Sequence, residues 1–360
     1  GAFFVRRTMN EVTDIAGARG SRIETAEVRD DSRESRIRSS SFRPARWLRN
    51  RHAQTIYPSI PIPGIPKPRL VREPLELPDG DVTVVDWLTA VPDTDDSSPI
   101  LIVLHGLESS ARSTYARQLL HAAAKRGWRA AVLHFRDCGD YCNRLPRRYH
   151  AGETGDIRYF LHKLRSLGHR GPLLAAGFSL GGNVLLKYLG ESREETPLTA
   201  AVAVSVPLNL HAASLALSKG FSKFYQHYLL TRMKRSVRRK FDPFTAAFDW
   251  ERAMKARTFA EFDDAVTAPL HGFADKNDYY DRCSAMRYLD GIARPSLIIN
   301  ALDDPFMTPD VIPAEDSLSE FVTVEVSEQG GHVGFIHGGT PWRPQYYIPQ
   351  RIIEFLEPQL

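Results

Sequence analysis

Short runs that are apolar at every position alternate along the middle of the chain with stretches spaced like one face of a helix. Ile100-Leu101-Ile102-Val103-Leu104 is such a run, as expected of a strand buried on both faces. Tyr115 to Lys125 reads as an amphipathic helix closed by Gly127, and Ala130-Ala131-Val132-Leu133-His134-Phe135 as the next strand. A helix over Asp156 to Leu167 precedes the strand Leu173-Leu174-Ala175-Ala176. An amphipathic run over 183–189 follows it, and Ala200 to Val206 is again continuously apolar. This alternation predicts a mostly parallel central sheet with helices on both faces. Ahead of it, Leu70 to Leu77 and Val82 to Leu88 flank Pro78-Asp79-Gly80-Asp81 and read as a hairpin.

The alternation stops at Pro207 and resumes with Ser296-Leu297-Ile298-Ile299-Asn300. The interval is helical in pattern, rich in aromatic residues, and too long for a loop. It is read as a helical cap inserted over the carboxyl ends of the strands. Phe321 to Val326 is the last strand and Tyr347 to Leu356 the closing helix. Residues 1–41 show neither period and are expected to be a flexible tail. Prolines at 58, 61, 63, 66 and 68 make an extended connector. The expected organisation is therefore a tail over 1–41, a core over 42–206, a cap over 207–290, and completion of the core over 291–360.

Composition narrows the function classes. A net charge of +4 over 360 residues is too small to argue for nucleic-acid binding by field strength. Three cysteines without a C-x-x-C pair fit free thiols in a reducing, cytoplasmic setting. No apolar run approaches the roughly 18 residues of a membrane-spanning helix, and none resembles a signal peptide. None of the twelve histidines forms a metal-ligand cluster and no phosphate-binding glycine loop is present, so no metal or cofactor is expected. The basic run Lys234 to Lys240 is read as a solvated face, with peripheral contact to an anionic membrane surface as the alternative.

The chemistry centres on Gly177-Phe178-Ser179-Leu180-Gly181-Gly182. A glycine-flanked serine between a strand and a helix is the nucleophile elbow of the α/β-hydrolase fold. The glycines leave room for a tight turn, and the helix amino terminus favours developing negative charge. A serine hydroxyl needs a base, and the base an orienting carboxylate. In this fold they follow in the order serine, acid, histidine, each just after a strand. Asn300-Ala301-Leu302-Asp303-Asp304-Pro305 and Gln329-Gly330-Gly331-His332 stand at those two places. Asp304 is chosen over Asp303 because it precedes Pro305, which biases it to extended backbone, and because of its place in the turn from Ala301. His332 is chosen over His337, which has no strand end beside it. The oxyanion donors are assigned to the backbone N–H groups of Leu180 and of Leu107, in the His105-Gly106-Leu107-Glu108 loop.

The chain resembles the YheT-like α/β-hydrolases from Phe42 to near its end. The resemblance rests on Leu48-Arg49-Asn50-Arg51-His52-Ala53-Gln54-Thr55, His105-Gly106-Leu107-Glu108, His150-Ala151-Gly152-Glu153-Thr154, Glu261-Phe262-Asp263-Asp264, Ala301 to Phe306 and Gly330 to Phe335. It departs at Arg136-Asp137-Cys138-Gly139, where the family has Arg-Gly-Cys. The resemblance implies a serine esterase with the triad Ser179, Asp304 and His332. Together with the aromatic insertion, the expected substrate is a small-molecule acyl ester of short to medium chain. An acyltransferase delivering the acyl group to an alcohol, and a catalytically silent binding protein of the same fold, are the alternatives.

Overall fold

The structure, a computed structural model, describes residues 35–60, 67–89, 91 and 94–360. The first 34 residues of the expected tail and residues 61–66 of the proline connector lie outside these. In chain order the strands are β1 (Ile37–Ser39), β2 (Leu70–Glu76), β3 (Val82–Leu88), β4 (Ile100–Leu104), β5 (Arg129–Leu133), β6 (Leu173–Phe178), β7 (Ala200–Val204), β8 (Ser296–Ala301) and β9 (Val322–Ser327). They form one sheet in the order β1-β9-β8-β7-β6-β4-β5-β3-β2. Every pairing from β1 to β5 is parallel; β3 runs antiparallel to both β5 and β2. A second hairpin, β10 (Ile336–Thr340) with β11 (Arg343–Tyr346), lies outside this sheet.

The helices are α1 (Arg51–Ile56), α2 (Thr114–Lys125), α3 (Gly155–Ser166), α4 (Leu180–Ser192), α5 (Leu210–Leu217), α6 (Ser222–Lys240), α7 (Trp250–Lys255), α8 (Phe259–Phe262), α9 (Ala268–Leu270), α10 (Lys276–Cys283) and α11 (Tyr347–Leu356). Strand β4 shows how the two faces are filled. Leu101 and Val103 join the apolar cluster built with α2 and α11, while Ile100, Ile102 and Leu104 join the one built with α3 and α4. Alternate side chains of one buried strand thus serve opposite helix layers, which is why its sequence shows no polar interruption.

The expected tail over 1–41 is too long. Ile37, Arg38 and Ser39 pair in parallel with Val324, Glu325 and Val326, adding an edge strand. Three residues with one apolar side chain carry no readable period; the pairing comes from β9, whose outer edge is otherwise open. The family departure at Asp137 also has a physical account. Its φ is +65°, a conformation natural to glycine and tolerated by aspartate. The carboxylate fills the place by pairing with Arg148 at 2.7 Å and Arg239 at 2.8 Å.

Next to this turn, Arg136 is almost wholly buried among three aspartates. It reaches Asp156 through two nitrogens, at 2.6 and 2.9 Å, and also Asp79 at 2.6 Å and Asp81 at 3.0 Å. The fork geometry of arginine allows these contacts at once, and they tie the β2–β3 turn to α3.

Candidate active site

The proposed site residues sit at the carboxyl ends of neighbouring strands. Ser179 follows β6 and caps α4; Leu107 lies just beyond β4, Asp304 beyond β8 and His332 beyond β9. Parallel strands with right-handed crossovers bring these loops to one edge. Ser179 has φ +52° and ψ −119°, the strained turn an elbow requires. The glycines around it are there for space. A Cβ on Gly177 would stand 2.5 Å from the carbonyl oxygen of Gly181, and one on Gly182 would press on Val206 at 2.7 Å.

The structure brings the three side chains into one hydrogen-bonded line. His332 Nδ1 lies 2.8 Å from Asp304 Oδ2, and His332 Nε2 lies 2.9 Å from Ser179 Oγ. An ionised carboxylate only accepts, so Nδ1 carries the proton and Nε2 is free to accept from the serine hydroxyl. Asp304 Oδ1 accepts from the N–H of Phe306 at 2.8 Å, and Asp304 is 2 % exposed. The Phe306 ring stacks on the imidazole, centroids 3.9 Å apart and planes 5° from parallel.

Asp303, the rejected acid, accepts from the N–H of Gly331 at 2.9 Å. The next two N–H groups are held likewise: His332 donates to Thr55 Oγ1 at 2.9 Å and Val333 to Ser205 Oγ at 3.0 Å. Gln54 completes the brace, bonding through both ends of its amide to the backbone of Ile336 at 2.8 and 2.9 Å. These residues went unassigned in the sequence, although Gln54 and Thr55 close the Leu48–Thr55 motif. The signal lay in two polar side chains on a short helix that the structure packs beneath the histidine loop. His337 is exposed on β10 and does not join the line.

Among the described residues, the two backbone N–H groups expected to face the oxyanion are both without a partner that would occupy them. Leu180 is the first residue of α4, so its N–H has no helical acceptor. On the other loop, Gly106 donates to the hydroxyl of Tyr115 at 2.8 Å, and Glu108 to that of Tyr149 at 2.8 Å. Between them, the N–H of Leu107 has no acceptor among the described residues. Glu108 itself has φ +51° and is buried. Its carboxylate accepts from Arg148 at 2.5 Å, Tyr149 at 2.9 Å and Ser236 of α6 at 2.6 Å, and its carbonyl accepts from Arg232 of α6 at 2.6 Å. Burial alone would raise this carboxyl; Arg148 and the hydroxyl donors outweigh it and hold it below the ordinary value. His105 is a structural imidazole, pushed down to about 3 by burial and by neighbouring His134.

A cavity of about 980 Å³, open solvent at its mouth included, runs from Ser179 under the helices inserted between β7 and β8. Leu217, Leu229, Met233, Phe259, Phe262 and Val266 make its apolar wall. Polar groups line the same cavity. His150 and His271 stand 4.6 Å apart, both held neutral chiefly by burial, His271 at about 3. Asp263 lies on the same cavity in a π-helical turn and accepts from Tyr280 at 2.7 Å and Thr267 at 2.6 Å.

Burial raises Asp263 from 3.8 to about 6 against those two hydrogen bonds. The folded value lies above the unfolded one, so its contribution to stability is full at low pH and is lost as pH rises through about 6. At about 1.4 kcal/mol per unit, the ionised form costs up to about 3 kcal/mol. Asp263→Asn is therefore expected to melt higher than the parent at about pH 8, with the margin cut to roughly a third near pH 4.5. A margin in melting temperature that is the same at both pH values contradicts this.

Comparisons with known proteins agree with this architecture. The alpha/beta hydrolase fold family matches residues 99–338. The chain is 45% identical over 321 residues to "Putative esterase YheT" of Escherichia coli, covering 88% of this chain and 93% of that one. It is 30% identical over 329 residues to human "Phospholipase ABHD3", covering 89% and 79%. It is 30% identical over 259 residues to a Saccharomyces cerevisiae "Monoacylglycerol lipase", covering 69% and 58%. Among solved structures, the Pyrococcus furiosus esterase Pf2001 superposes with a TM-score of 0.53 at 16% identity over 81% of this chain and 91% of its own, a likeness of fold. With the sheet order, the elbow and these relatives together, the chain belongs to the alpha/beta hydrolase family, in its YheT-like branch.

Proposed function

We propose that this protein is a serine carboxylic-ester hydrolase acting on small-molecule acyl esters of short to medium chain. The observation that carries the reading is the line from Ser179 Oγ through His332 to Asp304, opening directly onto a cavity with an apolar wall. Ser179 attacks the ester carbonyl while His332 Nε2 takes its proton; Asp304 holds the imidazole and stabilises its cationic form. The oxygen of the tetrahedral intermediate turns toward the N–H groups of Leu107 and Leu180. Collapse expels the alcohol, which leaves with the proton from His332, and an acyl-enzyme remains. Water, deprotonated by the same imidazole, then releases the acid.

The helices between β7 and β8 serve as the cap that keeps the acyl chain from water. Leu229, Met233 and Phe259 suit a hydrocarbon chain, each buried methylene contributing about 0.8 kcal/mol. Esterase and lipase names among the relatives support the reaction class. Three free thiols suit a reducing cytoplasmic setting, and no described helix is long and apolar enough to cross a membrane.

The test is a series of p-nitrophenyl esters from acetate through butyrate and octanoate to palmitate. The expected kcat/KM rises from acetate, peaks among the short to medium chains and falls by palmitate. Absence of turnover across the whole series in folded protein overturns the proposal.

A further inference from the structure

Helix α6 carries a feature that the catalytic reading does not use. Phe221 just before it, then Phe224, Tyr228, Arg232, Arg235 and Arg239, follow at steps of three or four residues and so share one face. The opposite face, with Leu230, Met233 and Val237, is buried against α7 and α8. The first half of this face is not covered, Phe221, Phe224 and Tyr228 being 54, 57 and 53 % exposed, while Arg232 and Arg239 in its second half bond to the core. Single exposed apolar residues need no explanation, but three aromatic rings in register on one helix face do.

The charge of this helix is one-sided. Ser222–Lys240 holds seven lysines and arginines and no acid. Arg232, Lys234, Arg239 and Lys240 are bonded to the rest of the chain. Lys223, Arg235 and Arg238 are exposed and have no acceptor among the described residues. The acids bordering this face do not neutralise them. Glu108 and Asp137 are held by Arg148, and Asp140 by Arg112.

The aromatic end of the stripe leads to the catalytic line. Phe221 and Phe224 contact Tyr225, with centroids 5.8 and 5.9 Å apart; Tyr225 contacts Phe306 at 5.1 Å, and Phe306 stacks on His332. Phe221 also packs on His52 of α1, and Ile56, one turn further along α1, is exposed.

We propose that the outward face of α6 docks on a bilayer containing anionic phospholipid, with Phe221, Phe224 and Tyr228 at the headgroup boundary and Arg235 and Arg238 against the lipid phosphates. Aromatic rings with a polar edge settle at that boundary, and unpaired cations beside them are drawn to the negative surface. Docking in this way sets the rings adjoining the catalytic histidine at the lipid surface.

The experiment is co-sedimentation with vesicles, which needs no ester turnover and so stands apart from the hydrolase reading. The intact protein is expected to bind vesicles of phosphatidylcholine with one-third phosphatidylglycerol, to bind pure phosphatidylcholine far less, and to release as salt rises. Arg235→Gln with Arg238→Gln is expected to weaken partition roughly 30-fold, at about fivefold per cation. Phe224→Ser with Tyr228→Ser is expected to weaken it on the order of tenfold or more. Both double variants should keep the parental circular-dichroism spectrum and melting temperature, which certifies their folding. Equal binding to both vesicles, or parental binding by either variant, overturns the proposal. So does sedimentation velocity showing self-association that Phe224→Ser with Tyr228→Ser abolishes, because the face would then belong to a second copy of this chain.

Discussion

Ser179→Ala is expected to lower kcat toward p-nitrophenyl butyrate by roughly a millionfold, with the melting temperature nearly unchanged. The size follows from the way the site works. In the proposed mechanism the Ser179 hydroxyl carries the acyl chain, so its loss removes the covalent route and not one contribution among several. What survives is the oxyanion pair and the cavity, worth roughly a thousandfold or more over water in other serine hydrolases. The stability should change little, because among the described residues Ser179 Oγ has His332 as its only side-chain partner and the room for the strained turn comes from the neighbouring glycines. A fluorophosphonate probe is expected to add to Ser179 and to no other residue, as mapped by mass. Parental turnover by the alanine variant, or an adduct elsewhere, removes Ser179 from the mechanism.

The second large effect separates two adjacent carboxylates. Asp304→Asn is expected to lower kcat by roughly ten-thousandfold, and Asp303→Asn by less than about tenfold. An asparagine at 304 can turn its amide N–H toward His332 Nδ1. The ring proton then moves to Nε2, which faces the Ser179 hydroxyl as a donor and can no longer accept its proton. Asp303 touches the backbone of Gly331, not the imidazole, and an asparagine oxygen replaces that acceptor. The measurement is kcat for each variant with KM recorded beside it. Comparable losses at both positions, or a larger loss at 303, would place the acid wrongly.

The central strands were legible because runs such as β4 and β7 are apolar at every position, whereas their order in the sheet was not. The elbow glycines and the strand-end positions of Asp304 and His332 likewise depend on local spacing, which a sequence displays. Residues whose roles depend on partners far along the chain were not legible. Thr55 looks like any surface threonine until the N–H of His332 arrives 277 residues later to meet it. Glu108 reads as a turn residue, and only the folded chain sets Arg148, Tyr149 and Ser236 around its carboxylate. The edge strand at Ile37–Ser39 is too short to show alternation, and the hairpin of β10 and β11 is masked by Gly338 and Gly339. Asp137 looked like a disruption of the turn and proved to be a substitute, its ion pairs standing where a glycine's freedom would otherwise be needed.

The grip of α6 on Glu108 carries a consequence for engineering. In many proteins of layered design, an accessory helical region can be swapped between relatives to change substrate range while the catalytic chassis is kept. Here Arg232 and Ser236 hold the residue next to Leu107, so a transplanted region lacking those two side chains would strip partners from a buried carboxylate. Chimaeras that exchange these helices should carry Arg232 and Ser236 over with the recipient scaffold, or they will lose rate before they gain selectivity.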